Sequence, residues 1–589
     1  MIALSIAGCA SSHRGSVLDA WSPSHTPTTY CNPMNLNYSF SPVTGAIEQA
    51  RHRATADPVI VPFAGDYYLF STNQWGYWWS SDLIRWTFVP RKFIKPGVNN
   101  HDDLCAPAAW AMDGALHVIG STVTPTFPIY ASRTPKLDTW TEATPAFSLA
   151  AWDPSFFVDD DGRLYLYYGA SNTKPVWGIE VDRKTLNPIG EPTVLMTLNE
   201  AEHGWERFGE HNDNTWFKPF LEGVWMNKHA GRYYLQYAAP GTEFSGYADG
   251  VYVSDKPLGP FEYQSHNPFA YKPGGFARGA GHGATFQDFN GHWWHTGTVA
   301  IGVKNNFERR IALWPAMIDG DGLLHCDTAY GDFPHRIARS ATHKLGSTFT
   351  GWMILNYNKP VRASSTLGRY APNFAVDEDI KTYWCAATSN AGEWFESDLG
   401  AVCTVRAIQI NHADQDATFI GHIPGLRHRY RLLCSDDART WRVLVDKSDN
   451  QTDVPHDYIE LATPVETRFI RLANLEVPSG KFALSGLRVF GNGHGSPPPP
   501  VEYFSAFRGK SEPRNAWLKW KHNDAATGYV IYAGASPDKL YTSVMALGAN
   551  DFWFRAMERD QPHYFAIEAF NENGISPRSE IVKTTPTDS

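Results

Sequence analysis

The sequence lacks both long apolar runs and clusters of basic residues. No stretch approaches the roughly 20 consecutive apolar residues that a membrane-spanning helix requires. Charged residues make up only 19% of the 589 residues, and the formal net charge is -10. This balance excludes a nucleic acid or an anionic membrane surface as the expected partner, because either would favour an excess of basic residues.

Cysteine is also scarce, with seven residues in the whole chain. No two cysteines form a CxxC pair, which argues against a zinc site and against a redox motif. We expect the dispersed cysteines to be buried as small apolar residues, with a disulfide framework as the alternative. These dispersed cysteines are Cys31, Cys105, Cys326, Cys385, Cys403 and Cys434.

The N-terminus has no lysine or arginine ahead of its short apolar stretch, so it departs from a full export signal. Even so, Ile6, Ala7 and Gly8 precede Cys9 as in the cleavage box of bacterial lipoproteins, where the cysteine is lipidated after export. We therefore predict that residues 1–20 are an export segment and tether, with the lipid as the only membrane contact. The expected location is the bacterial cell envelope, or the periplasm or exterior if Cys9 stands there by chance.

Aromatic residues, glycine and proline are abundant. Aromatics make up 14% of the chain with 22 Trp, alongside 48 Gly and 40 Pro. Aromatic side chains suit pleated, half-buried strands, and Gly and Pro suit turns, so the composition predicts an all-β protein. Flat rings can also stack on the apolar faces of sugars, although we expect most of the tryptophans to pack in cores.

One pattern recurs five times before residue 345: an opening residue, an apolar run, a glycine turn, an aromatic-rich strand and a Ser or Asp turn. The opening residues are Asp57, Ala106, Asp153, Glu222 and His282. Their spacing suits four-stranded blades with insertions, so residues 30–345 are predicted to form a five-bladed β-propeller. The first strand of each blade would line the channel and bring the three acidic residues to its mouth.

Three carboxylates at one channel mouth suit the hydrolysis of a glycosidic bond. One carboxylic acid protonates the leaving oxygen, and one carboxylate activates water or attacks directly. A third carboxylate can orient the acid and adjust its protonation through like-charge repulsion. The alternative is that each Asp-Pro pair is only a turn element.

The motifs around these residues resemble glycoside hydrolase family 43. They are Ala56-Asp57-Pro58, Trp152-Asp153-Pro154 and Leu221-Glu222-Gly223. The resemblance implies that Asp57 is the general base, Glu222 the general acid and Asp153 the pKa modulator, with inversion at the anomeric carbon. Val224 departs from the proline that the family often has after Glu-Gly, but the acid itself is in place.

Further residues are candidates for the same site. The resemblance places His282 near a channel cation, commonly calcium, which it approaches through water; a hydrogen-bonded channel histidine is the alternative. An arginine late in the propeller contacts substrate in this family, and adjacent strand residues face opposite ways, so only one of Arg309 and Arg310 can point inward. We favour Arg310. The nearest aromatic candidates for a sugar platform are Trp75, Trp78 and Trp152.

Two smaller units follow. Residues 355–492 resemble a discoidin-type (coagulation factor C-type) β-sandwich, through motifs such as Thr382-Tyr383-Trp384 and Asp398-Leu399-Gly400. The resemblance implies a carbohydrate-binding module. Residues 497–589 start at a proline run that reads as a semi-rigid spacer. This last unit resembles a fibronectin type III β-sandwich, carried by Trp520 and by Gly528-Tyr529, and its expected role is also that of a spacer.

Together these features predict an exo-acting, inverting glycoside hydrolase that removes β-xylosyl or α-L-arabinofuranosyl residues from plant or algal polysaccharides. A β-galactosidase of the same family and a non-catalytic sugar-binding propeller are the alternatives. A sugar-binding protein needs no matched acid and base, which argues against the second. We expect a polysaccharide or oligosaccharide as the partner, no cofactor for the chemistry, calcium only as a candidate channel ion, and a monomer.

Overall fold

The structure is a computed structural model that describes residues 18, 20–41, 52–72, 74–94, 104–121, 127–337, 344 and 346–586. Within these residues the chain is all-β, as predicted. Its only helices are three short 3-10 turns, at Pro135–Leu137, Gly204–Glu206 and Pro372–Ala375. None of the described helices has the length or the apolar character needed to cross a bilayer. Cys9 and most of the predicted export segment lie outside the described residues.

Five four-stranded antiparallel sheets follow one another along the chain, and in each sheet the strands pair in chain order. The first two sheets contain β2 Val59–Phe63, β3 Asp66–Phe70, β4 Gly76–Ser80 and β5 Thr87–Pro90, then β6 Ala108–Met112, β7 Ala115–Ile119, β8 Ile129–Ser132 and β9 Thr141–Thr144. The third contains β10 Ser155–Val158, β11 Leu164–Tyr168, β12 Val176–Val181 and β13 Pro188–Met196. The last two contain β14 Glu222–His229, β15 Arg232–Ala239, β16 Ala248–Ser254 and β17 Glu262–Tyr263, then β18 Arg278–Gln287, β19 Trp293–Ala300, β20 Arg309–Ile318 and β21 Leu324–Cys326.

The first strands of these five sheets form a closed cycle, which we call the sheet ring. Strand β2 contacts β6, β6 contacts β10, β10 contacts β14, β14 contacts β18, and β18 contacts β2 again. A short pairing of β1 Thr29–Tyr30 with β22 His335–Arg336 ties the start of this unit to its end. The first residues of the inner strands therefore face one another across the ring.

The second unit is one eight-stranded sheet folded around its own core. Its strands are β23 Met353–Ile354, β24 Val361–Ala363, β25 Trp384–Cys385, β26 Trp394–His412, β27 Arg429–Ser435, β28 Arg442–Lys447, β29 His456–Glu476 and β30 Ala483–Asn492. The long strands β26 and β29 pair with two shifts of register, and such bulges bend strands and let one sheet close into a sandwich.

The third unit has two antiparallel sheets that face each other. One contains β31 Ser505–Arg508, β32 Ala516–Lys519 and β35 Asp551–Phe554. The other contains β33 Gly528–Gly534, β34 Thr542–Leu547, β36 His563–Asn571, β37 Gly574–Ile575 and β38 Val582–Thr584. Alternate residues of each strand pack inward, so that Leu518 and Ile531 lie in one hydrophobic cluster.

The three units share hydrophobic cores. One cluster of buried residues contains both Trp205, from the sheet-ring unit, and Ile567, from the third unit. Another contains Phe333, Phe490 and Phe570, one from each unit. The proline run that opens the third unit therefore does not hold it apart from the rest, and the unit packs directly on the sheet ring.

Buried arginines join the sheet ring to the second unit. Arg53 is fully buried, and its guanidinium donates to both carboxylate oxygens of Asp453 and to Asp414. In the other direction, Arg488 of the second unit donates to the backbone oxygen of Asp332 at 2.8 Å. Removing one partner of such a pair leaves an uncompensated buried charge, so the two units depend on each other for stability.

No disulfide joins any of the six dispersed cysteines, of which five are buried and Cys105 is half-buried. The burial predicted from their composition is therefore confirmed. Their packing follows the expectation for small apolar side chains, and none of the six is used as a cross-link.

A fully buried carboxyl group lies where an insertion of the fourth sheet meets the third unit. Glu206 accepts hydrogen bonds from the Asn199 backbone N–H at 2.6 Å and from the Tyr237 hydroxyl at 2.5 Å. Next to it, Gly204 N donates to Met557 O of the third unit. Burial is the main reason why the pKa of Glu206 is raised to about 7.

The raised pKa of Glu206 predicts a pH-dependent stability. The folded chain holds the Glu206 proton up to about pH 7, whereas the unfolded chain releases it near its ordinary value of 4.5. The contribution of Glu206 to the free energy of unfolding is therefore full below pH 4.5 and is lost as the pH rises to 7. Glu206→Gln should match the wild type at pH 4.5 and exceed it at pH 8 by up to about 3 kcal/mol. Urea denaturation at both values measures this, with exposed Glu191→Gln as control; equal gains at both values would contradict it.

Candidate active site

The residues at the ring mouth sit in an unusual backbone conformation. Asp57, Ala106, Asp153 and His282 have φ angles of 54°, 37°, 50° and 43°, and in the fourth sheet Gly223 has a φ of 67°. This left-handed region is costly for residues with a Cβ and is retained where the surroundings impose it. The five sheets therefore repeat one tight turn into the inner strand, and that turn aims the opening side chains into the mouth.

Hydroxyl groups hold these turns from the preceding sheet. Thr298 accepts the backbone N–H of Asp57 at 2.9 Å, and Ser121 accepts that of Asp153 at 2.8 Å. Hydroxyls also hold the carboxylates: Thr72, which follows β3 of the same sheet, donates to Asp57 Oδ2 at 2.6 Å, and Ser121 donates to Asp153 Oδ1 at 3.0 Å. The carboxylate positions are therefore set by contacts both within a sheet and between neighbouring sheets.

The three predicted catalytic residues and His282 converge on one point. The Nδ1 atom of His282 lies 3.2 Å from Asp57 Oδ1, 3.7 Å from Asp153 Oδ2 and 3.8 Å from Glu222 Oε2. Burial opposes the charged imidazole, but the three carboxylates outweigh it and raise the pKa of His282 to about 10. Burial, with help from Glu222 and Asp57, raises the pKa of Asp153 to about 7 against the opposing effect of His282. This cluster can both donate and accept protons near neutral pH.

Glycine is required beside Glu222 because His282 packs against it. A Cβ on Gly223 would lie 2.8 Å from Cγ of His282 and would also have to adopt a positive φ. The backbone N–H of Gly223 points at Asp153 Oδ2, 3.3 Å away. Gly223 therefore allows strand β14, His282 and Asp153 to approach one another closely.

Tyr247 is a site residue that sequence reasoning missed. Its hydroxyl donates to Glu222 Oε1 at 2.7 Å, and its ring is almost fully buried. A Cβ on Gly281 would lie 2.7 Å from the ring, so the glycine leaves room for the tyrosine. Tyr247 precedes β16, and Glu222 opens β14. Strand β15 lies between these two strands, so no local motif links Tyr247 to Glu222.

The preference for Arg310 as the inward-facing arginine is wrong. Arg310 is buried on the far side of its strand, where it donates to His456 Nε2 of the second unit at 2.9 Å and to the Arg53 backbone oxygen. Arg309 points into the mouth instead, with Nη1 3.9 Å from Asp57 Oδ1. Its Nε is buried without a hydrogen-bond partner among the described residues. The alternation of strand faces was predicted, but its phase depends on packing against the second unit.

Only one of the three candidate tryptophans is open beside the cluster. Trp78 is fully buried and donates to Asn37 Oδ1 at 2.9 Å, so its assignment to a sugar platform is wrong. Trp75 is half-buried, with Gly421 of the second unit packed against its ring. Trp152, which precedes Asp153, is 43% exposed. It can therefore offer a ring face to a ligand at the mouth.

The predicted calcium can be compared with the donor atoms present. Asp153, Glu222 and His282 each offer a ligand atom, and these atoms lie within 4.8 Å of one another. Calcium takes six to eight oxygen ligands, whereas this set offers two carboxylates and one nitrogen. These three side chains alone therefore do not make a calcium site.

Two parts of the chain match known protein families. Residues 52–323 match the family described as glycosyl hydrolases family 43, and residues 360–486 match the F5/8 type C domain. The chain is 27% identical over 269 residues to a Vibrio sp protein named xylan 1,3-beta-xylosidase, covering 40% of this chain and 46% of that protein. It is 33% identical over 146 residues to a beta-xylosidase of Xylanibacter ruminicola, covering 21% and 43%.

A third relative is the arabinoxylan arabinofuranohydrolase of Paenibacillus polymyxa. The identity is 30% over 184 residues, covering 27% of this chain and 25% of that protein. The chain spans less than half the length of each of these three relatives. The cluster of Asp57, Asp153, Glu222 and His282 lies inside residues 52–323. The range 360–486 lies inside the second unit. Residues 52–323 are therefore a glycosyl hydrolase family 43 domain, and residues 360–486 are an F5/8 type C domain.

Proposed function

We propose that the chain is an exo-acting, inverting glycoside hydrolase that removes β-xylosyl or α-L-arabinofuranosyl residues from polysaccharides. The observation that carries this is the convergence of Asp57, Asp153 and Glu222 on one imidazole at 3.2–3.8 Å. Two of the matched relatives are named as β-xylosidases and one as an arabinofuranohydrolase, which supports a pentose as the sugar removed. The substrate is a polysaccharide or an oligosaccharide derived from it.

The proposed domain organisation follows the cyclic contacts and the cores. Residues 30–345 form a five-bladed β-propeller, with the five sheets as blades. Residues 355–492 form a discoidin-like carbohydrate-binding module, and residues 497–589 form a fibronectin type III domain. Residues 1–20 export the chain and tether it to the bacterial envelope through Cys9. Each chain supplies all three carboxylates of the site, and we propose that it acts as a monomer.

Each catalytic side chain has a role that its contacts support. Asp57 is the general base: its carboxylate lies 3.2 Å from His282 Nδ1 and 3.9 Å from Arg309 Nη1, and it accepts a proton from the attacking water. Glu222 is the general acid, oriented by the Tyr247 hydroxyl, and it protonates the leaving oxygen. Asp153 is the pKa modulator: it lies in the same pocket as the acid and base, and burial together with Glu222 and Asp57 raises its own pKa to about 7.

The separation of base and acid bears on the stereochemistry. Asp57 Oδ1 and Glu222 Oε2 lie 3.2 Å and 3.8 Å from the same nitrogen, so the two oxygens are at most 7.0 Å apart, the sum of these distances. Inverting enzymes hold their carboxyls about 6.5–9.5 Å apart, against about 5–5.5 Å in retaining enzymes. The bound is compatible with both ranges, so the anomer of the released sugar decides between the two mechanisms.

Amide variants of the two carboxylates should behave differently. Glu222→Gln should slow substrates with poor leaving groups at least 100-fold more than activated aryl glycosides, because activated groups need less protonation. Asp57→Asn should slow all substrates alike, because each needs an activated water. Steady-state kinetics on aryl xylosides and arabinofuranosides of graded leaving-group pKa measure both effects. Aryl galactosides belong in the same series. If the chain turns them over faster than the pentosides, the sugar that it removes is galactose and not a pentose.

Proton NMR of the first sugar released by the wild type completes this test. The anomer should be opposite to that of the substrate. Retention would make Asp57 a nucleophile and would overturn the proposed mechanism. Absence of turnover on every glycoside in the series would favour a non-catalytic sugar-binding protein.

The two adjacent arginines should separate substrate binding from folding. Arg309→Met removes a cation at the mouth and should lower kcat/KM by 10- to 100-fold, a loss of about 1.4–2.7 kcal/mol of transition-state stabilisation, while the chain stays folded. Arg310→Met removes the contact with His456 and should lower the thermal midpoint instead. Kinetics and thermal melting of both variants measure this. An unchanged kcat/KM in folded Arg309→Met would remove that residue from the site.

Metal removal should leave the proposed chemistry intact. Acid–base hydrolysis by Asp57 and Glu222 needs no metal, so dialysis against a chelator should leave kcat/KM on an aryl pentoside within twofold of the untreated value. The treated sample, assayed with and without added calcium, checks this. A large loss that calcium restores would mean that an ion takes part in building the site.

A further inference from the structure

A row of aromatic side chains crosses the outer face of the third unit. In the sheet of β31, β32 and β35, Phe507 pairs with Trp517, and Trp517 pairs with Trp553. Side chains of paired residues point to the same face of a sheet. Leu518 and Phe554 alternate with this row and are buried, so the row points away from the core.

The two outer rings of this aromatic row are exposed, and the rings are held in place. Phe507 is 56% exposed and Trp553 is 46% exposed, whereas Trp517 between them is half-buried. The indole rings of Trp517 and Trp553 are parallel to within 4°, with centroids 5.7 Å apart. Trp517 Nε1 donates to Asp551 Oδ2 at 3.1 Å, and Lys519 Nζ lies 3.9 Å from the ring centroid. These contacts fix the ring orientation before any ligand arrives, which reduces the entropy cost of binding.

A second row, made of polar side chains, runs beside the aromatic one. Ser505 pairs with Lys519, and Lys519 pairs with Asp551, two residues along each strand and therefore on the same face. This row carries one hydroxyl, one cation and one anion, so its net charge is zero. It offers donors and acceptors for hydroxyl groups but no excess charge for a charged ligand.

The size of the aromatic row argues against a protein partner. Two rings that are about half exposed and the half-buried Trp517 present at most roughly 300 Å² of apolar surface, given about 150–250 Å² for each whole aromatic side chain. A stable protein interface needs about 800 Å² on each partner. Exposed apolar patches of this kind mark recognition sites, and a narrow strip three strands wide suits a thin, extended ligand.

We propose that this aromatic row and the adjoining polar row form a binding surface for a neutral polysaccharide chain. The exposed rings of Phe507 and Trp553 would meet the C–H groups on the apolar faces of successive sugars, while Trp517, which Lys519 covers, would support Trp553. Lys519, Asp551 and Ser505 would bond their hydroxyls. The third unit is then a second point of attachment to the polymer. This role is independent of which sugar the catalytic unit removes.

Binding of the full-length chain to insoluble polysaccharides tests the proposal. The probes are insoluble xylan, arabinoxylan and cellulose, and all proteins carry Glu222→Gln so that the polymer is not digested. Replacing Trp517 and Trp553 together by Ala should weaken binding to at least one probe tenfold or more. Single Trp553→Phe, which keeps a flat ring, should retain most of the affinity. The matched control is Tyr503→Ala, because Tyr503 is an 80% exposed aromatic of the same unit outside the row.

The outcomes separate this proposal from the catalytic one. With Glu222 intact, the double variant should keep the wild-type kcat/KM on a soluble aryl pentoside, whatever that value is. Wild-type affinity in a folded double variant would overturn the proposal, and so would failure of the parent chain to bind any of the three probes. An equal loss in Tyr503→Ala would also overturn it. Sedimentation analysis that shows a dimer dissolved by the double variant, with polysaccharide binding unchanged, would identify the row as a self-association surface instead.

Discussion

The arrangement of the ring mouth depends on holding three carboxyl groups together where little water reaches them. Like charges this close disfavour one another's ionisation, and burial adds to the cost. Two features offset that cost. His282 places a cation between the carboxyls, and burial raises the pKa of Asp153 to about 7, so that this carboxyl can stay protonated. A site under this strain needs rigid support, and the cyclic contacts among the five inner strands supply it. The same crowding that costs stability makes acid and base available together.

The accessory units are part of that support. Arg310 lies directly next to Arg309 in the chain, but it is anchored by His456 of the second unit. Arg53, four residues before Asp57, is anchored to Asp453 of the second unit as well. Hydrophobic clusters shared between units extend this coupling: one joins the sheet-ring unit to the third unit, and another contains residues of all three units. The described residues of the three units thus form one packed body with shared cores.

Much of the fold could be predicted because the repeated sheets and the acidic residues that open them leave local sequence patterns. The five opening residues share one backbone turn, as the recurring pattern indicated, except that the turn falls on Gly223 and not on Glu222 in the fourth sheet. The burial of the cysteines followed from their side-chain chemistry. Tyr247 could not be predicted, because its contact with Glu222 crosses an intervening strand. Trp78 was misplaced because exposure of a tryptophan depends on what packs over it.

The sequence by itself determined the identity and order of the carboxylates, the all-β class and the fact that one of Arg309 and Arg310 must face inward. These follow from residue chemistry and from the two-residue period of a strand, which are local. Tertiary structure decided which arginine it is, because docking of the second unit selects the face that is covered. It also decided that Phe507, Trp517 and Trp553 stand in one row, since they are far apart in sequence and only strand pairing brings them into register.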